Sequence, residues 1–402
     1  MMVTNRIKDK LKEMPLICQI GEKYRCLEQT MQIEQEQSYY ERRADEFGLS
    51  VDSAIEKTKN QLRKKLAERN IFPRPKSKED LHIVYASCPI PWDAQHIAPV
   101  LNKFGNVTTY YYSKFGFSPD EANWLNVRNK MNDHFLGFLS HLHKEKPIDL
   151  VLTYFSGYRI DCNTIERIND MGIVTVAFHL DDRLSFRGGF EGGRWTGPVD
   201  VCKSYDLSLT QAPESLVKYL VEGANVMLWP LAANQELYYP RNIPFRYDVS
   251  FVGSAHGNRK AFINYLNKNG IRVETFGAGW LNGFIPNERV PEIFSCSKIN
   301  LNFGDIGYTS YQCGKCRDFE IPMSGGLMLT TYNPHLANYF EIDNEIFTFR
   351  NKEECVRQIR RLLSDSRLCD RARKEARAKA LKEHTWEHRI KSLLHVFGYG
   401  GI

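Results

Sequence analysis

The chain has 402 residues, of which 42% are hydrophobic and 25% charged, and a formal net charge of +6. That length exceeds one comfortable core, so at least two domains are expected, each able to bury a sizeable interior. No apolar run approaches the roughly 18 residues of a membrane span, and the polar opening "MMVTNRIKDKLKEM" holds no signal-peptide core; the expectation is a soluble, cytoplasmic protein.

Residues 1–80 are rich in Glu, Gln, Lys and Arg, with a helical stretch in "DSAIEKTKNQLRKKLAERN" closed by the proline-bearing linker "FPRPKSKED". They carry no catalytic constellation and read as a helical extension for docking or oligomer contacts. The texture then changes. "LHIVYAS" (81–87), "IDLVLTYF" (148–155), "GIVTVAFHL" (172–180) and "YDLSLTQ" (205–211) are compact apolar runs separated by helix-length segments. A second series follows in "YDVSFVGS" (247–254), "IRVETFG" (271–277), "KINLNFG" (298–304), "GLMLTTY" (326–332) and "EIFTFRN" (345–351). Continuous apolar runs alternating with helices predict parallel strands covered on both faces. The expected fold class is therefore α/β, with two Rossmann-like, doubly wound domains facing across a cleft. "LWPLAANQELYYPRNIP" (228–244) is the expected hinge. The domains are set at 81–232 and 247–378, with 233–246 as linker and 379–402 as a terminal helical segment.

Ligands of doubly wound sheets bind at the carboxyl ends of strands, near helix N-termini. "VSFVG" ends in Gly253 and is followed by Ser254, then Arg259 and Lys260 at the start of a helix, a turn suited to phosphate, the bland reading being an exposed turn with Arg259 in solvent. "VETFG" ends in Gly277, and Ala278 and Gly279 then precede Trp280, which reads either as a cover for a base or sugar or as a filler of the core. Neither stretch is a Walker loop or a dinucleotide fingerprint. In "CRDFEIPMSGGLMLTTYNP" (316–334), a helix read from about Gly314 sets Cys313, Arg317, Glu320 and Ser324 on one face. Pro322 and the pair Gly325 and Gly326 end that helix just before a buried strand. A carboxylate there is suited to a vicinal diol such as ribose; the bland reading is an Arg317–Glu320 pair with no ligand. In "VAFHLDDRLSF", His179, Asp181 and Asp182 close a strand and are suited to orienting a hydroxyl or accepting its proton, or to capping the next helix. No further acidic cluster joins them, so no metal site is assigned.

The ten cysteines lack regular spacing and read as buried thiols, Cys313 and Cys316 forming one isolated C-x-x-C. Between Lys352 and Lys391 there are thirteen basic and seven acidic residues, an excess equal to that of the whole chain. A basic helix of this kind reads as a solvated face or as a surface for anionic partners.

"RDFEIPMSGG" (317–326), the following strand and "TTYNPHLANYFE", and the later "EHTWEHRIKSLL" resemble the signature of CgeB-type (spore maturation protein) glycosyltransferases, relatives of the family 4 glycosyltransferases. "SFVGS", "LNF" and "LWPLAAN" stand at matching points, and the resemblance spans roughly residues 145–395. It implies a GT-B architecture, with a nucleotide diphosphate sugar held mainly by residues 247–378, the acceptor by 81–232, and the final helix crossing back to the first domain. It also implies transfer to an acceptor hydroxyl with retention, with no metal or other cofactor, in glycan, polysaccharide or glycoconjugate synthesis. Glu320 matches the family glutamate that binds the donor ribose. The companion glutamate position holds Gln312, an amide without charge. Arg259 stands at the phosphate-binding lysine position, while Ser254 replaces a cation, leaving Lys315 or Arg317 to supply one. His179 with Asp181 resembles the His-Asp pair near the reacting carbon. Rival readings are epimerase-type chemistry on a nucleotide sugar, a non-catalytic sugar-binding protein of the same fold, and a transferase acting on DNA or protein.

Overall fold

A computed structural model describes residues 15–88, 91–118 and 123–400. The polar opening read as lacking a signal-peptide core lies outside the described residues. The chain divides into two compact units. Among the described residues, the first comprises those within 37–240, 314–325 and 374–400; the second comprises 15–36, 241–313 and 326–373.

The first unit contains strands β1 (His82–Ser87), β2 (Asn106–Tyr111), β3 (Leu150–Thr153), β4 (Val174–His179), β5 (Phe190–Glu191), β6 (Arg194–Trp195), β7 (Leu207–Thr210) and β8 (Val226–Leu228). Six of them form one parallel sheet in the order β2-β1-β3-β4-β7-β8, and β5 and β6 form a separate hairpin. Every residue of β1, β3, β4 and β7 is buried, as continuous apolar runs covered on both faces require. The two edge strands escape the sequence reading for a physical reason. "NVTTYY" starts exposed and half-buried, so its threonines dilute the apolar signal, and β8 is only three residues long. One core gathers Val84, Phe135, Val151, Phe155 and Ala177 beneath the helices Trp124–Glu145 and Cys162–Asp170.

The second unit contains β9 (Tyr247–Val252), β10 (Val273–Phe276), β11 (Ser297–Asn302), β12 (Met328–Thr331) and β13 (Phe347–Phe349), all parallel, in the order β10-β9-β11-β12-β13. Leu301 lies beside Phe251 on one side and Leu329 on the other, so the sheet buries matched apolar rows. In both sheets the second strand goes to one side of the first and the third to the other. This reversal is the switch point at which doubly wound sheets open their strand ends to ligands.

Part of the segment read as an extension for docking or oligomer contacts packs within the first unit. Its helices are Pro15–Glu46 and Val51–Ala67. Tyr40, 1% exposed, stands edge-on to Phe186 and donates to Glu222 at 2.7 Å. Lys65 donates to the Tyr205 carbonyl at 2.6 Å, and Arg69 pairs with the buried Asp206 at 2.6 Å. At the other terminus the helix Trp386–Phe397 is fixed to the first unit. Trp386 is fully buried, Trp229 donates to the Arg389 carbonyl at 2.8 Å, and Arg389 donates to that of Pro230 at 3.0 Å. No helix among the described residues is long and apolar enough to cross a membrane. No disulfide is formed among the cysteines from Cys26 onward.

Candidate functional site

In the second unit the loops after β9 and β10 meet backbone to backbone. A Cβ on Gly277 would lie 2.5 Å from the Gly253 carbonyl oxygen, and Gly277 has φ +124°, so only glycine fits. The Gly253 amide donates to the Phe276 carbonyl and the Ala255 amide to that of Ala278, both at 2.8 Å. Trp280 donates its indole N–H to the Gly253 carbonyl at 2.7 Å and sets its ring edge-on to Phe251. Of the two uses read for Trp280, the structure displays the packing one. Arg259 opens the helix Arg259–Lys268, whose N-terminus has no side-chain cap. Its guanidinium is buried rather than extended, donating to the Ser254 carbonyl at 3.1 Å and lying over the Phe251 and Phe303 rings. Ser254 and Lys260 are exposed at the mouth of this turn. Gln312 is held within the unit. Its amide donates to Asp305 at 2.5 Å and accepts from Thr331 at 2.6 Å, which ties the loop after β11 to the end of β12.

The segment 314–325 groups with the first unit. Its helix is Arg317–Met323, starting later than expected, so Cys313 does not share its face. The cause is local: the Lys315 amide donates to the Asp318 carboxylate at 2.7 Å, closing a turn ahead of the helix. Ser324 bonds back to the Glu320 carbonyl at 2.9 Å, and Gly325 takes the left-handed φ of +71° that ends the helix, with Gly326 buried behind it. The reading of an open polar face is corrected at Glu320. Its side chain is 7% exposed, with His96 Nδ1 at 3.8 Å and the Tyr238 hydroxyl beside it. Burial pushes the carboxyl up to about 7, against the pull of Arg317 and a hydrogen bond from Tyr238. Burial pushes His96 down to about 4, so at neutral pH the close approach is not an ion pair.

At the end of β4 the three candidate side chains part. Asp182 is fully buried and accepts from the Tyr219 hydroxyl at 2.8 Å. Burial raises its carboxyl to about 6, opposed by hydrogen bonds from Thr210 and Tyr219. It thus serves the interior. Asp181 has φ +54°, a strained conformation for a non-glycine residue, and its half-exposed carboxylate pairs with Lys315 Nζ at 3.1 Å. This contact joins two of the candidate residues across 134 positions of sequence. His179 is 4% exposed, its Nε2 has no hydrogen-bond partner, and burial pushes its imidazole down to about 3.

Beside His179 lies a cavity of about 270 Å³, bounded by the ends of β3 and β4 and the base of the β5–β6 hairpin. The loop after β3 is held by three side chains of the helix Trp124–Glu145: Arg128 donates to the Gly157 carbonyl at 2.6 Å, Trp124 to Tyr158 at 2.8 Å and Asn132 to Arg159 at 2.9 Å. The hairpin base is bound to the same loop by Tyr158 N–H to the Thr196 carbonyl at 2.6 Å. The segments flanking it meet where a Cβ on Gly197 would stand 2.3 Å from the Phe186 oxygen. Sequence reasoning missed Arg159, Tyr158, His96 and Tyr238. The first two follow a recognised strand, so a search of the residues after "IDLVLTYF" would have reached them; His96 and Tyr238 gave no such signal.

Residues 259–395, about a third of the chain, match the glycosyl transferase-like family. No curated protein matches the chain. Among solved structures, a glycosyltransferase from Rickettsia africae is similar with a TM-score of 0.57 at 10% identity, over 79% of this chain and 98% of that one. A sucrose-phosphate synthase from Thermosynechococcus elongatus gives 0.54 at 10% identity, over 79% and 98%. The HepE protein of Anabaena, in complex with UDP and glucose, gives 0.55 at 11% identity, over 78% and 99%. The fold is that of the GT-B glycosyltransferases. With a glycosyl transferase-like domain in its second half, the chain is an enzyme of glycosyl transfer.

Proposed function

We propose that the chain moves a sugar from a nucleotide diphosphate sugar to an acceptor hydroxyl, with retention, without a metal ion, in the cytoplasm, as a CgeB-type enzyme. The observation that carries this reading is the glycosyl transferase-like match, which begins at Arg259, where an uncapped helix N-terminus follows a glycine turn. The complexes of HepE with UDP and with UDP-glucose support a donor of this class. In the reaction, the acceptor oxygen bonds to the anomeric carbon as the bond from that carbon to the diphosphate breaks. The electron pair leaves with the diphosphate, and the hydroxyl proton goes to the departing phosphate oxygen. Backbone N–H groups at the start of the helix Arg259–Lys268, with the charge of Arg259, favour the departing anion. Lys315 or Arg317 is proposed as the second cation and Glu320 as the partner of the donor ribose. His179 is neutral at physiological pH and too weak a base to keep a proton, so its proposed part is to accept a hydrogen bond that orients the acceptor.

The test is a panel of nucleotide sugars. One of them is expected to raise the melting temperature, since a ligand bound by the native form alone stabilises it. Its nucleoside diphosphate is expected to be released only when an acceptor is added. Donor turnover with no acceptor would establish epimerase-type chemistry instead, and binding without release across all acceptors a sugar-binding protein. In the same assay Glu320→Ala is expected to weaken donor binding; an unchanged affinity would assign Glu320 to packing alone.

A further inference from the structure

The cavity beside His179 has a composition that says what it takes. Among its lining residues Arg159 is the one with a permanent positive charge, and none is an aspartate or glutamate. The Arg159 Nε donates to the Tyr112 hydroxyl at 3.3 Å and the guanidinium lies 5.8 Å from the Tyr158 ring, yet no carboxylate among the described residues pairs with it. An arginine held in place by a hydrogen bond and a ring, with its forked N–H groups unmatched by an acid, is prepared for an anion. His179 adds a second polar demand, a buried Nε2 without a partner at the cavity wall. The remaining lining mixes Tyr154 and Tyr158 with Ser156 and Ser185, rings and hydroxyls of the kind that suit a sugar's faces and edges. At about 270 Å³ the space is below the range of drug-sized ligand pockets, which sets its occupant at one sugar ring. The walls are fixed in advance by the three side-chain bonds to the loop after β3 and by the glycine contact at the hairpin base.

We propose that this cavity is the acceptor subsite, and that it selects a monosaccharide-sized polyol bearing one acidic group, a carboxylate or a phosphate. That group pairs with Arg159 while a hydroxyl of the same molecule donates to Nε2 of His179. The assignment rests on the glycosyl-transfer reading, because only transfer requires an acceptor.

Calorimetry of the full chain with glucuronate, glucose 6-phosphate and neutral glucose tests it without any donor. At least one acid is expected to bind, tenfold or more tighter than glucose, and preference between the two acids distinguishes carboxylate from phosphate. Arg159→Gln is expected to remove at least tenfold of that affinity, Arg159→Lys to recover part of it, and neither to change the melting-temperature shift given by the nucleotide sugar. His179→Phe, which replaces an unpartnered buried nitrogen by carbon, is expected to keep the protein folded and the acid bound while transfer falls. Equal binding of glucose and the acids, no binding of either acid, or an unaltered affinity in Arg159→Gln would overturn the proposal. If the acid binds through Arg159 but no nucleotide sugar binds the chain, the acid site stands and the transfer reading fails.

Discussion

In the second unit the loops at the strand ends are fixed by contacts onto their own backbone carbonyls: Gly253 against Gly277, Trp280 on the Gly253 carbonyl, Arg259 on that of Ser254. In the first unit the corresponding loops are fixed by side chains reaching in from a neighbouring helix, and they leave polar atoms unsatisfied, His179 Nε2 among them. The difference is chemical. A site for phosphate can be made from N–H groups and a helix end, which any sequence with the right glycines provides. A site that selects among hydroxylated molecules needs particular side chains whose hydrogen-bonding demands the fold does not meet by itself. The strand ends of the two units are thus built from different materials.

The largest expected effect breaks the backbone-built side. Gly277→Ala forces a Cβ to 2.5 Å from a carbonyl oxygen at a φ that L residues rarely adopt, and should cost about 3–4 kcal/mol in chemical denaturation. A variant as stable as the native chain would show that the loop contact is dispensable.

The next prediction concerns a side chain enclosed in the first unit. The Glu320 carboxyl is raised to about 7 from its ordinary 4.5, first by burial. The native state therefore holds this proton more tightly than the unfolded chain. The stabilisation is fully present below pH 4.5 and is lost as pH rises through about 7. Glu320→Gln cannot lose a proton, so its stability relative to the native chain should climb from pH 4.5 to 8, by up to about 3 kcal/mol at 1.36 kcal/mol per unit. A difference that stays flat across that window in pH-dependent melting would show that the carboxyl is not held in its acid form.

The smallest effect is expected at the half-exposed pair. Asp181→Asn removes the charge facing Lys315 but keeps a residue tolerant of left-handed backbone, so the cost should be below about 1 kcal/mol and should vanish in molar salt. A larger, salt-insensitive loss would mean that the strand-end turn depends on this contact.

Much of the architecture was legible from the chain. Nine strands stood out as apolar runs, because a parallel strand covered on both faces must be apolar throughout. The edge strand "NVTTYY" was not legible, since its first four residues are exposed or half-buried and need not be apolar. Candidate residues could be found by position, just after strands, but not their orientation. Asp181 and Asp182 are adjacent in sequence, yet one faces Lys315 at the surface and the other Tyr219 in the interior.

The sequence by itself determined the class of fold, the glycine turns and the strand ends at which chemistry belongs, because periodicity and backbone permissiveness are properties of short segments. Only the tertiary structure decided that Glu320 is enclosed with His96, that Lys315 meets Asp181, and that Arg159 and His179 share a cavity. Burial, pKa and partnership depend on neighbours brought from far along the chain.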